Sequence, residues 1–271
     1  VIVTGSASSP AGLDGVVNDF RALVSGGGGN NGVGGGVLPD GRREVGWDVA
    51  SLDPYQVPGT MPGTYFNNQS LRGLVLTTTG GLQVSGRAAS GSNDVRFSSV
   101  NPSASTAFQS FSPERLLALY GETTVEATFF LPSVPSQQAY VRGFGAIFSD
   151  VSIFGATRLE AFGRSGQRLA AIDVPAAAGG LSFAGLWIDE GEWIDRIRLT
   201  VGQTGIEDVG GALDVVALDD FIYAEPRIVP EPGVALFLAA AVLTLASRTR
   251  FTAPARGKTG AARPGSRPPA R

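Results

Sequence analysis

From Thr124 to Tyr223 apolar residues return at every second position in short runs, and clusters of Gly, Pro, Asn and Ser separate the runs. A helix cannot gather a period of two on one face, whereas a strand puts alternate side chains on opposite faces of a sheet. The pattern begins at Arg42. It predicts strands at Arg43–Trp47, Gly73–Thr78, Leu82–Ser85, Val95–Ser98, Thr124–Leu131, Val141–Phe148, Arg158–Phe162, Leu169–Val174, Phe183–Ile188, Ile194–Val201 and Val215–Tyr223. Arg115–Tyr120 reads either as a short helix or as one more strand. Helical runs do not alternate with these segments, and 38 Gly and 17 Pro among 271 residues supply turns between them. The implied fold class is all-β: a jelly-roll-like antiparallel β-sandwich, with an amphipathic helix before it and a hydrophobic helix after it. The chain divides into an N-terminal helix and Gly-rich loop over 1–40, a sandwich over 41–228, a hydrophobic segment over 229–250 and a basic, disordered tail over 251–271.

Leu13, Val16, Val17, Phe20, Leu23 and Val24 fall at helical spacing, while Asp14, Asn18, Asp19 and Arg21 take the other face. Ser9 stands at the capping position, Pro10 at the first helical position and Gly26 at the end. The following Ser25–Gly36, SGGGGNNGVGGG, has no side chains with which to pack and reads as a mobile loop. A phosphate-cradling loop needs a preceding strand and a Gly-Lys-Ser/Thr ending, and both are missing.

The chain has neither Cys nor His. Thiol nucleophiles, disulfides, His-based triads and Cys/His zinc sites are excluded together. Residues 1–247 hold 14 basic against 24 acidic side chains, and the last 24 positions hold seven basic residues and no acid. A body this acidic repels phosphate backbones, which argues against nucleic acid as a partner. What remains is carboxylate and oxygen-ligand chemistry, and binding surfaces. In a regular strand Asp219 and Asp220 face opposite sides, so one carboxylate lies beside the inward apolar residues. A buried carboxylate needs an Arg, backbone donors or a cation; with no His or Cys, calcium is the metal class that fits, with Asp14 or Asp48 as further ligands. A solvated edge pair is the plainer alternative. Trp187 and Trp193 flank the acidic turn Asp189-Glu190-Gly191-Glu192, and aromatics beside carboxylates suit glycan contact. The alternative is a core indole beside a solvated turn. Glu190 and Glu192, two apart on a turn, lack the cleft of a glycosidase pair.

Near the end, Val229-Pro230-Glu231-Pro232 precedes the uncharged run Gly233–Ala246, and Arg248 and Arg250 follow it. Fourteen helical residues span about 21 Å, short of a hydrocarbon core of roughly 30 Å, but extension to Phe251 with both arginines snorkelling narrows the gap. Positive charge after the run keeps that end cytoplasmic and the body outside. The three parts in this order resemble the PEP-CTERM sorting signal of Gram-negative bacteria. The resemblance implies export, transient anchoring in the inner membrane, processing near Pro-Glu-Pro by the membrane enzyme exosortase, and association with exopolysaccharide at the cell surface or in the matrix. Gly143–Val151, Leu181–Gly185 and Asp214–Tyr223 are likewise similar to recurrent segments of the extracellular domain that precedes such tails. An exported chain needs a signal peptide, and Val1-Ile2-Val3 then reads as its last turn, with Thr4–Ser9 as the small-residue cleavage region. The expected function is that of an exported structural or binding component of the matrix and not an enzyme; the alternatives are a glycan-binding module and a carboxylate-dependent hydrolase.

Overall fold

Burial follows the alternation most closely over Thr124–Leu131, where Val125, Ala127, Phe129 and Leu131 are buried and the residues between them half-exposed. The computed structural model describes residues 1–36, 38–189 and 191–229. Among them the chain is mostly β. Its strands are β1 (Ile2–Ala7), β2 (Arg42–Val45), β3 (Leu74–Thr77), β4 (Gly81–Val84), β5 (Leu117–Tyr120), β6 (Thr124–Leu131) and β7 (Val134–Ala139). They continue with β8 (Gly143–Val151), β9 (Arg158–Gly163), β10 (Arg168–Asp173), β11 (Ala177–Trp187), β12 (Ile194–Thr200) and β13 (Ala217–Ala224). Helix α1 (Pro10–Ser25) stands between β1 and β2.

The strands pair antiparallel in two sheets. A seven-stranded sheet runs β1-β11-β8-β13-β5-β4, with β2 also against β13; a six-stranded sheet runs β10-β9-β12-β6-β3, with β7 also against β6. The main core lies between them. Val45, Trp47, Phe144, Phe148, Phe221 and Tyr223 from the larger sheet and its margins meet Leu76, Val125, Phe129, Leu159, Ile197 and Leu199 from the smaller. Residues Val1–Ile228 make one compact unit.

Helix α1 covers the outer face of the larger sheet, where Leu13, Val17, Phe20 and Val24 cluster with Ile147, Leu181, Phe183 and Ile222. Glycines permit this close approach. Gly145 and Gly185 are register partners on β8 and β11, and a Cβ on either would lie 2.7 Å from the Phe20 ring. On β1 a Cβ at Gly5 would lie 2.8 Å from Val16. The sheet thus presents a slot without side chains, and Phe20 fills it against Phe183, ring centroids 5.1 Å apart.

Several sequence expectations change. Ile2–Ala7, read as the end of a signal and its cleavage region, is the edge strand β1, paired residue by residue with Leu181–Leu186. Val95–Ser98 is not a strand. Asp94 accepts from the N–H groups of Gly86 and Ser99, which folds a turn there, and Arg96 and Phe97 take positive φ values of 46° and 70°. Arg115–Tyr120 resolves as strand β5 from Leu117. Polar β7 gives no alternation to read. Ser9 occupies the cap position of α1 without a side-chain hydrogen bond, while Gly26 ends the helix at φ 57°, as its place in the sequence suggests.

The slot sets a test. Phe20→Ala should cost about 3–5 kcal/mol by emptying it, and Gly145→Ala about 1–3 kcal/mol by overfilling it. Urea unfolding of each variant measures both; an unchanged midpoint for either means that α1 does not depend on the slot.

Candidate functional site

The inward positions of β2 set up the region of interest. Arg43 shares its buried face with Val45, and its side chain is wholly buried. A guanidinium in such a place needs every donor matched. Nε and Nη2 donate to Glu225 Oε2 and Oε1 at 2.8 and 2.7 Å, as a fork on the carboxylate. Nη1 donates to the carbonyls of Gly32 and Gly34 at 3.0 and 2.8 Å, and Nη2 also reaches that of Gly36 at 3.4 Å. Gly32, Gly34 and Gly36 have φ between 63° and 73°, a region open to glycine at little cost, and so their carbonyls converge on one cation. Asn31 Nδ2 adds a bond to Glu225 at 2.8 Å. The Gly-rich segment, expected to be mobile, is therefore bound through its backbone. It lacks side chains to pack, but not carbonyls to donate to.

Beside this pair lies a cleft of about 230 Å³, lined by Val24, Gly26, Asp40, Arg142, Trp187, Trp193, Glu225 and Arg227 among others. It forms where the ends of α1, β11 and β13 meet the start of β8. Trp187 is the last residue of β11, and its backbone N–H donates to the Val1 carbonyl at 2.8 Å. Its indole N–H donates to Asp189 Oδ1 at 2.9 Å, so one acid of the turn orients the ring. The ring passes close over Gly143, where a Cβ would lie 3.0 Å from it. The Arg142 guanidinium lies 4.2 Å from the Trp193 ring centroid and donates to the Asp189 carbonyl. Both tryptophans named by the sequence thus come to one cleft, both half-buried. Glu192 points elsewhere, accepting from Gln167 at 3.0 Å; Glu190 lies outside the described residues.

The second sequence candidate sits further along β13. Against β8 the register passes from Leu218↔Phe148 to Phe221↔Ala146, so Asp219 and Asp220 together oppose Ile147 as a β-bulge. Inward facing shifts with it: Leu218 lies in the main core before the bulge, and Phe221 and Tyr223 after it. On the other edge β5 pairs with Leu218 and β2 with Phe221–Ala224, which leaves the bulge in the gap between two partner strands. The loop before β5 crosses that gap. Asp219 Oδ2 accepts from the N–H groups of Phe111 and Ser112 at 2.5 and 3.3 Å, and Trp47 Nε1 donates to the Asp219 carbonyl at 3.0 Å. Opposite facings, expected for a regular strand, are corrected by the bulge: Ser112 Oγ contacts Asp219 Oδ1 at 3.1 Å and Asp220 Oδ1 at 2.8 Å.

One hydroxyl has one proton, so Ser112 donates to at most one of the two carboxylates at a time. Burial, and then the neighbouring Asp220 charge, push Asp219 well above the usual carboxylate range. Burial pushes Asp220 to about 6, with Glu44 raising it further while Ser112 and Arg21 oppose. Of the proposed calcium ligands, Asp14 is exposed on α1, and Asp48 Oδ1 accepts from the N–H groups of Glu114 and Arg115. No group of three Asp, Glu, His or Cys among the described residues is placed to hold a metal. The carboxylates that the sequence offers to calcium accept bonds from backbone N–H groups and the Ser112 hydroxyl.

Of the sorting residues, Val229 is described, while Pro230, Glu231, Pro232, Arg248 and Arg250 lie outside the described residues. Among the described residues no helix is long and apolar enough to cross a membrane. Arg43, Glu225 and Arg142 were not candidates from sequence; a charged residue at an inward position of β2 was the available signal for the first.

No family profile and no curated protein matches the chain. Among solved structures, the enzymatically active domain of bacteriophage CBA120 tailspike protein 4 is similar over 60% of this chain and 20% of its own, at 13% identity and a TM-score of 0.31. A likeness this slight assigns no activity.

The acid pair makes a signed prediction. Unfolded, Asp220 releases its proton near its ordinary 3.8, whereas the folded pair keeps it to about 6. Its contribution is present in full below pH 3.8 and is lost as pH rises through about 6, a change of up to about 3 kcal/mol. Asp220→Asn should flatten that part of the stability–pH curve and stabilise the fold at neutral pH. Urea unfolding across this range reads it, and an equal slope in both proteins would show that the pair holds no proton.

Proposed function

We propose that the chain is an exported envelope protein whose β body binds an exopolysaccharide at the Trp187–Trp193 cleft without cleaving it. The single observation that carries the binding is the convergence on one cleft of two half-exposed indoles, a guanidinium and polar rim groups. A sugar ring offers its C–H face to an indole and its hydroxyls to charged neighbours. Against hydrolysis stands the state of the cleft's carboxylates. Glu225 is locked to Arg43 and Asn31, and Asp40 lies 3.7 Å from Arg227 at the rim, which leaves no pair poised as acid and base among the described residues that line the cleft. The order β5-β13-β8-β11 facing β6-β12-β9-β10 supports the jelly-roll reading of the sandwich.

Export and anchoring rest on the sequence alone, on the Val229–Pro232 motif, the apolar run Gly233–Ala246 and the arginines after it. On this reading exosortase and the inner membrane are the partners of the tail, and exopolysaccharide is the partner of the body.

Two experiments test the two halves. In affinity electrophoresis through gels containing bacterial exopolysaccharides, the protein should be retarded without releasing reducing ends, and Trp193→Ala should weaken retardation about tenfold. Release of reducing ends would make it a hydrolase, and free migration in every gel would leave a purely structural role. In cells that possess an exosortase, replacing Pro230 and Pro232 with Ala should leave the chain uncut in the membrane fraction; normal processing would remove the sorting assignment.

A further inference from the structure

The arginines of the cleft are not equally paired. The Glu225 carboxylate is consumed by the fork of Arg43, and Arg227 faces Asp40 at 3.7 Å. Arg142 is the remainder. No carboxylate among the described residues pairs with it: Nη1 donates to the Asp189 carbonyl, and the plane is held 4.2 Å from the centroid of Trp193. Neither contact neutralises a charge. Residues 1–247 are acidic overall, yet at this cleft a guanidinium lies on an indole without a described carboxylate in ion-pair contact.

We propose that the cleft selects an acidic sugar, a uronate residue within a polysaccharide, with Arg142 as the residue that reads the carboxylate. This deepens the glycan-binding reading above and rests on it. A guanidinium has five donors in one plane, and the bond to Asp189 uses Nη1; Nε and Nη2 retain the edge that matches a carboxylate with two parallel bonds. Stacking on Trp193 holds that plane before any ligand arrives, so little side-chain freedom is lost on binding. A neutral hexose would meet the same edge with hydroxyls alone, and the charge would stay uncompensated. At about 230 Å³ the cleft is smaller than the roughly 300–1,000 Å³ typical of drug-sized ligands, which suits one sugar residue of a longer chain.

Three polymers separate the outcomes, run as affinity electrophoresis of the full chain: polygalacturonate, the same polymer with its carboxylates reduced to alcohols, and dextran sulfate. Polygalacturonate should retard the protein about tenfold more strongly than the reduced polymer, with dextran sulfate near the reduced one. Arg142→Gln should abolish the preference of the acidic over the reduced polymer, and Arg142→Lys should restore only part of it. The comparison among polymers uses the unaltered protein and so stands even if a variant misfolds. Equal retention by acidic and reduced polymers overturns the uronate proposal and leaves glycan binding in place. Retention by dextran sulfate equal to that by polygalacturonate overturns it as well, since attraction to any polyanion then suffices. Retention by none of the three overturns both readings.

Discussion

The buried ion pair of Arg43 and Glu225 is the constraint around which one end of the molecule is arranged. It joins positions 182 residues apart. Taking both charges out of water costs several kcal/mol, and the mutual attraction offsets this only when the remaining donors and acceptors are matched. Here the matching recruits the neighbourhood. Three glycine carbonyls complete the guanidinium, Asn31 completes the carboxylate, and the Glu225 N–H donates to Gly41 at 3.1 Å. The loop after α1, the start of β2 and the end of β13 are fixed by one set of bonds, and the walls of the cleft are the outer side of that set.

The same logic, that a buried charge dictates the backbone around it, operates at Asp219 and Asp220. There the compensation comes from the N–H groups of a crossing loop and from the Ser112 hydroxyl. Two strands that end against β13 would leave donors of the connecting loop unmatched; the carboxylates of the bulge take their place. Asp48 does likewise for Glu114 and Arg115. Acidic side chains thus serve as backbone acceptors where ladder pairing stops.

Much of the sandwich was readable because alternation in segments such as Thr124–Leu131 is a local property, and burial of one face turns it into register. The helix was readable for the same reason. Gly26 and the spacing of Leu13, Val17 and Phe20 are sufficient signals within one window of sequence. What escaped depends on partners distant in the chain. Ile2–Ala7 has the composition of a strand or of a cleavage region, and only Leu181–Leu186 beside it decides. The glycine run offers the sequence reader only its missing side chains, yet its role is set by Arg43 and by the carbonyls that positive φ lets it aim. The parity of β13 was misjudged at one step, where two acids occupy the space of one residue. Trp187 and Trp193 were recognised as a pair by their flanking turn, whereas Arg142 precedes β8 with nothing local to mark it.

The larger sheet carries a consequence for the order in which the molecule can assemble. β13 is the last strand among the described residues and yet an inner one, with β8 on one side and β2 and β5 on the other. During synthesis from the N-terminus, β2 and β5 emerge long before the only strand that attaches them to β8. Until residue 225 is available, Arg43 lacks Glu225 and the sheet is three pieces, β1-β11-β8, β5-β4 and β2, with open edges. Contacts of such long sequence separation slow folding and expose strand edges meanwhile. Closure therefore waits for the last part of the sandwich, and a body truncated even a few residues before Glu225 would lose its centre rather than its fringe.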